Sequence, residues 1–244
     1  MRTLVLSDIH ANWVALEAVL AFLRGRGLRY DDVVILGDYV DYGTRPNEVI
    51  EWARENCSLC LLGNHDAALL NPSERRYFSD LALKCSLWTE KVIKPENLRF
   101  LSRLRPASRR GDIFHSHGSP ADPLWGYVFS DEDARKALRS SSGAKIVLLG
   151  HTHIPSYFAG AKGQIFSGHV VGEEFSIKLM PSVRYVINPG SVGQPRDGLG
   201  GASFGILDSE EGRFTWYRVD YDITPLKDEI RRAGLPMSLL NYFL

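Results

Sequence analysis

The first half of the chain alternates short apolar runs with segments whose apolar residues recur every three or four positions. Short apolar runs bounded by turn residues predict buried strands, and the longer spacing predicts amphipathic helices. The predicted strands of this half are residues 4–7, 33–36, 59–62, 113–115 and 146–149. Strands that alternate with helices in this way indicate an α/β fold.

Start signals place the helices between these strands. Asn12, a favoured N-cap residue, precedes Trp13, Leu16, Leu20 and Leu23, which fall on one helical face. Pro46 occupies the permissive first turn of a second helix, and Ser130 caps another with three acidic residues in its first turn. Residues 73–104 are rich in helix formers and predict two helices, and residues 225–232 predict a last one.

Beyond residue 155 the pattern changes to short apolar runs separated by glycines. The strands predicted there are residues 157–158, 164–166, 175–179, 185–187, 203–207 and 214–220. An α/β half followed by a β-rich half predicts a two-sheet sandwich flanked by helices, in four layers ordered αββα. We expect a single domain over residues 1–244 with a β-hairpin insertion around residues 156–186, whose exposed part would include His169, Glu173 and Glu174.

Composition narrows the classes of partner. Lys+Arg and Asp+Glu both total 29, so the formal net charge is zero, and a long nucleic acid is not the expected ligand. No apolar stretch approaches the roughly 20 residues that span a bilayer, so we expect no membrane partner. Three cysteines do not form a disulfide framework, which favours a cytoplasmic location. The sequence does not indicate an oligomeric state.

Polar residues cluster directly after the predicted strands of the first half. Carboxyl ends of strands in α/β sheets are where ligands gather, so five such turns can converge on one place. Any one of these short motifs occurs by chance, but five in order, each after an apolar run, indicate a functional site. The turns carry Asp8 and His10, Asp38 and Asp41, Asn64 to Asp66, His117, and His151 with His153.

The residue types in these turns point to transition metals. Carboxylate oxygen and imidazole nitrogen together suit manganese, iron, nickel or zinc, whereas calcium and magnesium favour oxygen ligands. Alternate residues of an extended segment point the same way, so D-x-H and H-x-H each present two ligands to one side. Two ions about 3.5–4 Å apart can hold both the attacking and the leaving oxygen of a phosphoryl displacement.

The ordered blocks D-x-H, G-D-x-x-D, G-N-H-D, H-G and G-H-x-H over residues 8–153 resemble the calcineurin-like metallophosphoesterase family. Residues 188–198, which read Asn-Pro-Gly-Ser-Val-Gly-Gln-Pro-Arg-Asp-Gly, are similar to its small prokaryotic branch. The resemblance implies a fold with two mixed sheets flanked by helices. It also implies two divalent transition-metal ions, with manganese as the first choice and iron, nickel or zinc as alternatives.

Carried over residue by residue, the resemblance implies two ligand sets that share Asp38 as the bridge. One set would be Asp8, His10, Asp38 and His153, and the other Asp38, Asn64, His117 and His151. The implied reaction is hydrolysis of a phosphate mono- or diester by a hydroxide that bridges the metals.

Other residues near the blocks receive less direct assignments. The resemblance implies that His65 contacts the phosphate and protonates the leaving oxygen, and Asn64 would contact the substrate as well as a metal. Asp66 supports the site without binding metal, either by orienting His65 or by capping the following helix. Arg196 is a candidate phosphate contact because guanidinium suits that geometry, but a structural role is an equal alternative. His115, two residues before His117, is expected to pack rather than to bind metal.

The chain departs from the protein Ser/Thr phosphatases of the family, which carry an arginine where Tyr42 stands. This argues against protein-phosphatase activity and favours a small-molecule or nucleotide-like phosphate ester. Alternatives are a non-catalytic scaffold with the same fold, as in a retromer subunit, and a diadenosine-polyphosphate hydrolase. A leaving-group pocket would be built from the loops around residues 71–80, 121–129 and 160–175.

Overall fold

The computed structural model describes residues 1–243, with the side chain of His169 excepted. Within that range the strands form two mixed sheets of six strands each. The first sheet has the order β3-β2-β1-β11-β12-β9, and the second has the order β4-β5-β6-β10-β7-β8, in the numbering given by the bounds that follow. The strands are β1 (Arg2–Leu6), β2 (Asp32–Ile35), β3 (Leu59–Cys60), β4 (Ala107–Arg110), β5 (Ile113–Ser116), β6 (Ile146–Leu148), β7 (Ser156–Ala161), β8 (Gln164–His169), β9 (Glu174–Lys178), β10 (Arg184–Asn188), β11 (Ala202–Asp208) and β12 (Arg213–Val219).

Helices begin where the local sequence supplies a cap. The Asn12 side chain accepts the backbone N–H of Ala15 at 3.0 Å, and Ser130 and Asp133 form a reciprocal capping box. No helix within residues 1–243 combines the length and the apolar character that crossing a bilayer requires. The helices are α1 (Trp13–Gly25), α2 (Pro46–Asn56), α3 (Asn64–Leu70), α4 (Asp80–Val92), α5 (Pro95–Leu101), α6 (Asp131–Ser140) and α7 (Thr224–Arg232), with short 3-10 segments at Pro72–Tyr77 and Met237–Tyr242.

Strand alternation divides the buried side chains among three apolar layers. On β1, Leu4 and Leu6 pack with α1 and α2, whereas Val5 points to the second sheet. On β10, Val186 packs against α6, whereas Ile187 points to the first sheet. The predicted αββα sandwich is therefore confirmed, with one apolar layer between the sheets and one under the helices on each side.

Residues 156–186 are divided between the two sheets. β7 and β8 pair antiparallel as a hairpin at one edge of the second sheet. β9 then crosses over and pairs with β12 at the edge of the first sheet, and β10 returns to the interior of the second. The expected hairpin accounts for β7 and β8, and the remainder of the segment connects the two sheets.

Other differences from the sequence prediction involve short elements. β3 contains only two residues, and Leu61, whose N–H still donates to the Ile35 carbonyl at 2.9 Å, makes an isolated parallel bridge with Arg105. β4, whose sequence is polar and exposed at its end, was not predicted. The two helices expected within residues 73–104 are α4 and α5, and they are preceded by the 3-10 segment.

Trp216 of β12 provides a test of the layer between the sheets. Its ring is 1% exposed, packs 4.5 Å from the Phe214 ring centroid, and donates its indole N–H to the Asn188 carbonyl at 2.8 Å. We expect Trp216→Ala to lower the free energy of unfolding by about 3–5 kcal/mol, as large aromatic truncations in cores do. Urea denaturation measures the change, with Phe166→Ala as control because Phe166 is 57% exposed. Equal effects of the two variants would contradict the assignment of Trp216 to the core.

Candidate metal centre and substrate cleft

The five polar turns come together at one edge of the sandwich. β1, β2 and β3 run parallel in the first sheet, and β5, β6 and β10 run parallel in the second. Backbone hydrogen bonds join the turns that follow them, from Asp8 N–H to the Gly37 carbonyl and from Gly150 N–H to the His117 carbonyl. The carboxyl ends of two parallel triplets thus form one site, as the sequence predicted.

Backbone conformations at these turns are costly. Asp8, His10, Asp38, His151 and His153 all have φ between 50° and 64°, in the left-handed region that most side chains avoid. Each such residue costs roughly 1–3 kcal/mol and persists only where its surroundings fix it. The left-handed conformation bends the backbone, which lets these side chains turn inward from the edge of the sheet. The strained residues are therefore the ones that form the site.

Two glycines allow the carboxylates to approach the backbone. A Cβ atom at Gly63 would lie 2.0 Å from Oδ1 of Asp38, and one at Gly150 would lie 2.0 Å from Oγ of Ser7. Neither distance is compatible with a side chain, so the glycines of the G-N-H-D and G-H-x-H blocks are required by close packing.

The turns bring together two groups of buried donor atoms that share Asp38. Within each group the donor atoms lie within 4.8 Å of one another. The first group is Asp8, His10, Asp38 and His153, and the second is Asp38, His117 and His151.

Hydrogen bonds to backbone carbonyls fix three of the imidazole rings. Nδ1 of His10 lies 2.8 Å from the Val40 carbonyl, Nδ1 of His117 lies 2.9 Å from that of Leu36, and Nδ1 of His153 lies 2.6 Å from that of Gln194. Each Nδ1–H therefore donates outward, which leaves an unprotonated Nε2 facing the centre of the site.

The Nε2 atoms of these histidines lie close together in the protein interior, where burial disfavours a protonated imidazole. Nε2 of His10 and Nε2 of His153 are 3.3 Å apart. Burial lowers the pKa of both rings, and it lowers that of His117 to about 4. Neutral imidazoles with converging lone pairs are the arrangement that a metal ion satisfies.

The Asp38 carboxylate stands between the two groups. Its Oδ1 accepts the backbone N–H of His65 at 2.9 Å, whereas Oδ2 has no hydrogen-bond partner among the described residues. Oδ2 lies 3.5 Å from Nε2 of His10 and 3.6 Å from Nε2 of His117. Burial, with the neighbouring Asp66 carboxylate, raises the pKa of Asp38. An unpaired buried oxygen between two sets of nitrogen ligands fits a bridge between two cations.

Asn64 and His151 complete the second group. Asn64 begins α3, and its Oδ1 lies 2.9 Å from Nε2 of His117. Nε2 of His151 is buried without a partner in the part of the chain that the structure describes. The residues present therefore fit a dinuclear centre, and the donor set of oxygen and nitrogen atoms suits transition metals.

His65 lies beside the two groups, and Asp41 orients it. The Nδ1 atom of His65 is 2.8 Å from Oδ2 of Asp41, and the imidazole stacks on Phe78 with ring centroids 4.4 Å apart. The sequence interpretation placed Asp41 within the loops of the site but did not connect it with His65. A carboxylate that orients a histidine is a common arrangement. The sequence did not indicate this pair, because Asp41 and His65 are 24 positions apart.

Asp66 caps α3 and does not orient His65. Its carboxylate accepts backbone N–H groups from Gly63 and Asp38 at 2.9 Å and from Tyr39 at 3.0 Å. Burial raises the pKa of Asp66 to about 7. Of the two roles considered from sequence the structure shows capping, which also fixes the backbone that carries Asp38.

The block after β10 ties the turns together. The Asn188 side chain donates to the Gly150 carbonyl at 2.7 Å, and the Ser191 hydroxyl donates to the Asp8 carbonyl at 2.8 Å. The side chains of Asn188 and Ser191 thus hold the turns of the site in place. Arg196, in contrast, is exposed at the rim of the cleft, where its Nη2 donates to Oε1 of Gln194 at 2.7 Å.

His115 and Tyr42 are both buried near the site. His115 is buried on β5 outside both donor groups, and burial lowers its pKa to about 4. Tyr42 is also buried, with its ring 4.9 Å from that of His10 and 5.1 Å from that of His65. Its other neighbour is Tyr242 of the last 3-10 segment, whose ring stacks at 6.1 Å. The C-terminal segment therefore packs against the site, which sequence spacing did not reveal.

A cleft of about 100 Å³ opens above the donor groups. Of the loops expected to build a leaving-group pocket, those around residues 71–80 and 121–129 line it. Among the described residues, the loop around 160–175 does not. The lining residues are Asp38, Tyr42, Asn64, His65, Tyr77, Phe78, Ser79, Ala82, Trp125, Tyr127, His151, His153 and Arg196.

A sandwich of two mixed sheets with paired Asp/His groups at their carboxyl edge defines the class as an α/β metal-site protein. The chain belongs to the calcineurin-like phosphoesterase family, whose model matches residues 1–155. The resemblance drawn from the five sequence blocks is thereby confirmed.

Relatives of known sequence or structure extend the match to nearly the whole chain. The uncharacterised protein MJ0912 of Methanocaldococcus jannaschii is 37% identical over 239 residues, which cover 95% of this chain and 93% of that protein. A metallophosphoesterase from Sphaerobacter thermophilus is similar with a TM-score of 0.85 and 36% identity, covering 100% of this chain and 98% of that one. The hypothetical protein PH1004 from Pyrococcus horikoshii shares the fold, with a TM-score of 0.79, 21% identity and coverage of 98% and 96%.

Metal content tests the assignment of the two groups. We expect the purified protein to hold about two transition-metal ions per chain, as a dinuclear site requires. Asp38→Ala should lose both ions because its carboxylate belongs to both groups, whereas His153→Ala should mainly weaken one. Elemental analysis measures the loading, and His115→Ala serves as the control because that histidine lies outside both groups. Equal loading of wild type and Asp38→Ala would exclude the bridging role.

Proposed function

We propose that the protein is a metal-dependent phosphoesterase that hydrolyses a mono- or diester of a small or nucleotide-like molecule. The observation that carries this proposal is the unpaired Oδ2 atom of Asp38, which lies between two buried donor groups beneath an open cleft. The membership of the family supports the reaction class, and the aromatic and polar lining supports a small substrate.

The residues that would hold the ions follow from the two donor groups. Asp8, His10, Asp38 and His153 would hold one ion, and Asp38, Asn64, His117 and His151 the other. Two divalent transition-metal ions, manganese first and iron, nickel or zinc as alternatives, would supply the charge that binds the phosphate and activates water. The outward hydrogen bonds of His10, His117 and His153 hold their rings in the required orientation.

His65 acts as the general acid in this proposal. Its Nδ1–H donates to Asp41, so the Nε2 atom is left to carry a proton toward the cleft. The hydrogen bond to Asp41 and stacking on Phe78 together limit rotation of the ring. A histidine fixed in this way is positioned to give its proton to a leaving oxygen.

Asn64 and Arg196 contact the phosphate from two sides of the cleft. Asn64 lies at its floor beside His117, and Arg196 lies at its rim. Among the described residues the guanidinium of Arg196 makes one hydrogen bond, to Gln194, which leaves its other donors for phosphate oxygens. Tyr42 stands where protein phosphatases carry their phosphate-binding arginine. Arg196 would therefore supply the positive charge that this arginine supplies in protein phosphatases.

A screen of the metal-loaded protein tests the function itself. Phosphate mono- and diesters, including nitrophenyl esters, are offered to the wild type and to Asp38→Ala. We expect hydrolysis by the wild type and a loss of several orders of magnitude in the variant. If the wild type with both ions bound hydrolyses none of the esters, the proposed function is wrong.

His65→Asn separates acid catalysis from charge stabilisation. An alkoxide needs a proton to leave, whereas nitrophenolate leaves with little help. Because general acid catalysis is typically worth about 10²–10⁴-fold, the variant should slow alkyl esters far more than nitrophenyl esters. Single-turnover rates on matched esters, with both ions shown to be bound, give the factor by which the variant slows each class of ester. Equal losses on both substrates would leave His65 as an electrostatic contact only.

Arg196→Ala tests the rim contact. We expect a Michaelis constant raised by about tenfold, in line with the loss of one charge-assisted hydrogen bond, and unchanged metal content. Arg139→Ala is the matched control because Arg139 is 60% exposed on α6 and does not line the cleft. A Michaelis constant that stays at the wild-type value would assign Arg196 a structural role.

A further inference from the structure

One side of the cleft consists of four aromatic residues, here called the aromatic wall: Tyr77, Phe78, Trp125 and Tyr127. Its inner rings pack directly on the site histidines. Phe78 stacks on His65 with an interplanar angle of 25°, and Tyr127 stacks on His151 at 4.1 Å with an angle of 19°. Both rings line the cleft above the donor groups.

The other two rings of the aromatic wall, here called its outer layer, are Trp125 and Tyr77, and the Trp125 ring also lies 6.5 Å from that of His151. The Trp125 ring is 6.2 Å from that of Phe78 and 4.8 Å from that of Tyr77. Tyr77 is 58% exposed and Tyr127 is 46% exposed. Large aromatic surfaces clustered beside a functional site mark a place for a ligand, because exposed apolar area is costly in water.

Hydrogen bonds hold the outer rings in place. The indole N–H of Trp125 donates to Oε2 of Glu74 at 3.1 Å, and Nη2 of Arg76 donates to the Tyr77 hydroxyl at 2.9 Å. The guanidinium of Arg76 also lies over the Tyr77 ring, 4.7 Å from its centroid. Flat rings fixed by their polar edges suit a planar ligand better than a flexible aliphatic chain.

We propose that the aromatic wall binds the base of a nucleotide whose phosphate lies over the donor groups. This inference rests on the proposed phosphoesterase function and specifies its substrate. Every base has a π-face, so stacking on Trp125 and Tyr77 favours nucleotides without selecting one base. The absence of a basic excess is compatible with a single nucleotide and does not favour a long strand.

Tyr77 distinguishes a nucleotide from a simple aryl ester. Its ring packs on Trp125 and, among the described residues, on no histidine of the site. In an aryl ester the ring is bonded to the phosphate through one oxygen and stays near the rings that pack on those histidines, which are Phe78, Trp125 and Tyr127. In a nucleotide a sugar separates the phosphate from the base, which lets the base extend to Tyr77, so the exposed ring of Tyr77 favours the longer ligand.

Paired substrates that differ only in the base test this inference. Adenosine 5′-monophosphate is compared with ribose 5-phosphate, and the methyl ester of each is included for diesterase activity. For the metal-loaded protein, the ratio of kcat/KM between the substrate with the base and the matched substrate without it gives the base preference. Calorimetry gives the same preference as a ratio of the two Kd values. We expect a wild-type preference of roughly tenfold or more, the order expected of one base stacked on aromatic rings.

Substitutions in the outer layer should remove this preference. Tyr77→Ala and Trp125→Ala should each lower both ratios toward one, whereas Tyr77→Phe and Trp125→Phe, which retain a ring, should keep most of the preference. Phe166→Ala is the matched control, because Phe166 is 57% exposed on β8 and does not line the cleft. It should leave both ratios at the wild-type value.

Two results would overturn the inference: equal affinities of the wild type for the substrates with and without the base, or alanine variants that keep the wild-type ratios. Failure of the proposed function gives a different result. Metal-loaded protein that hydrolyses no ester, nitrophenyl esters included, would refute the phosphoesterase. The calorimetric ratio would still report whether the aromatic wall binds the base.

Discussion

The Asp38 carboxylate occupies a position in which its charge is unfavourable without a partner. It is buried, its Oδ2 atom has no donor among the described residues, and that atom lies 3.5 Å and 3.6 Å from Nε2 of His10 and of His117. The features around it are arranged to keep this geometry. Gly63 leaves room for its oxygen, Asp66 fixes its backbone, and carbonyls turn the lone pairs of His10 and His117 toward it. Each of these turns follows a strand of one of the sheets, and backbone hydrogen bonds such as Asp8 N–H to the Gly37 carbonyl join neighbouring turns, which keeps the strained residues in place.

The fold and the metal-ligand positions were the parts most accessible from sequence. A short apolar run bounded by turn residues is a local signal, and it located strands such as β1 and β10. The donor residues were accessible because each follows a strand within five positions, and parallel strands bring their carboxyl ends to one edge. The order of the blocks then resembled a single family, whose model matches the chain.

What could not be predicted depends on contacts between residues that are remote in sequence. The wall of aromatic rings joins Tyr77 to Trp125, and Tyr42 packs on Tyr242, with no periodic pattern to link them. The sheet to which β9 belongs was equally inaccessible. Its alternating sequence fits either edge, and its pairing with β12 is fixed only in the assembled sandwich. Local sequence thus indicated most of the helices and strands, whereas contacts between distant residues determined the aromatic residues that line the cleft.

The donor groups draw on both sheets, and this has a mechanical consequence. Asp8, His10 and Asp38 follow strands of the first sheet, whereas His151 and His153 follow β6 of the second. An ion in either group would therefore fasten one sheet to the other, much as a cross-link does. A ligand that binds only the folded state stabilises it by about 2.7 kcal/mol at a concentration 100 times its Kd. Removal of the ions by a chelator would thus weaken the attachment of one sheet to the other as well as empty the site.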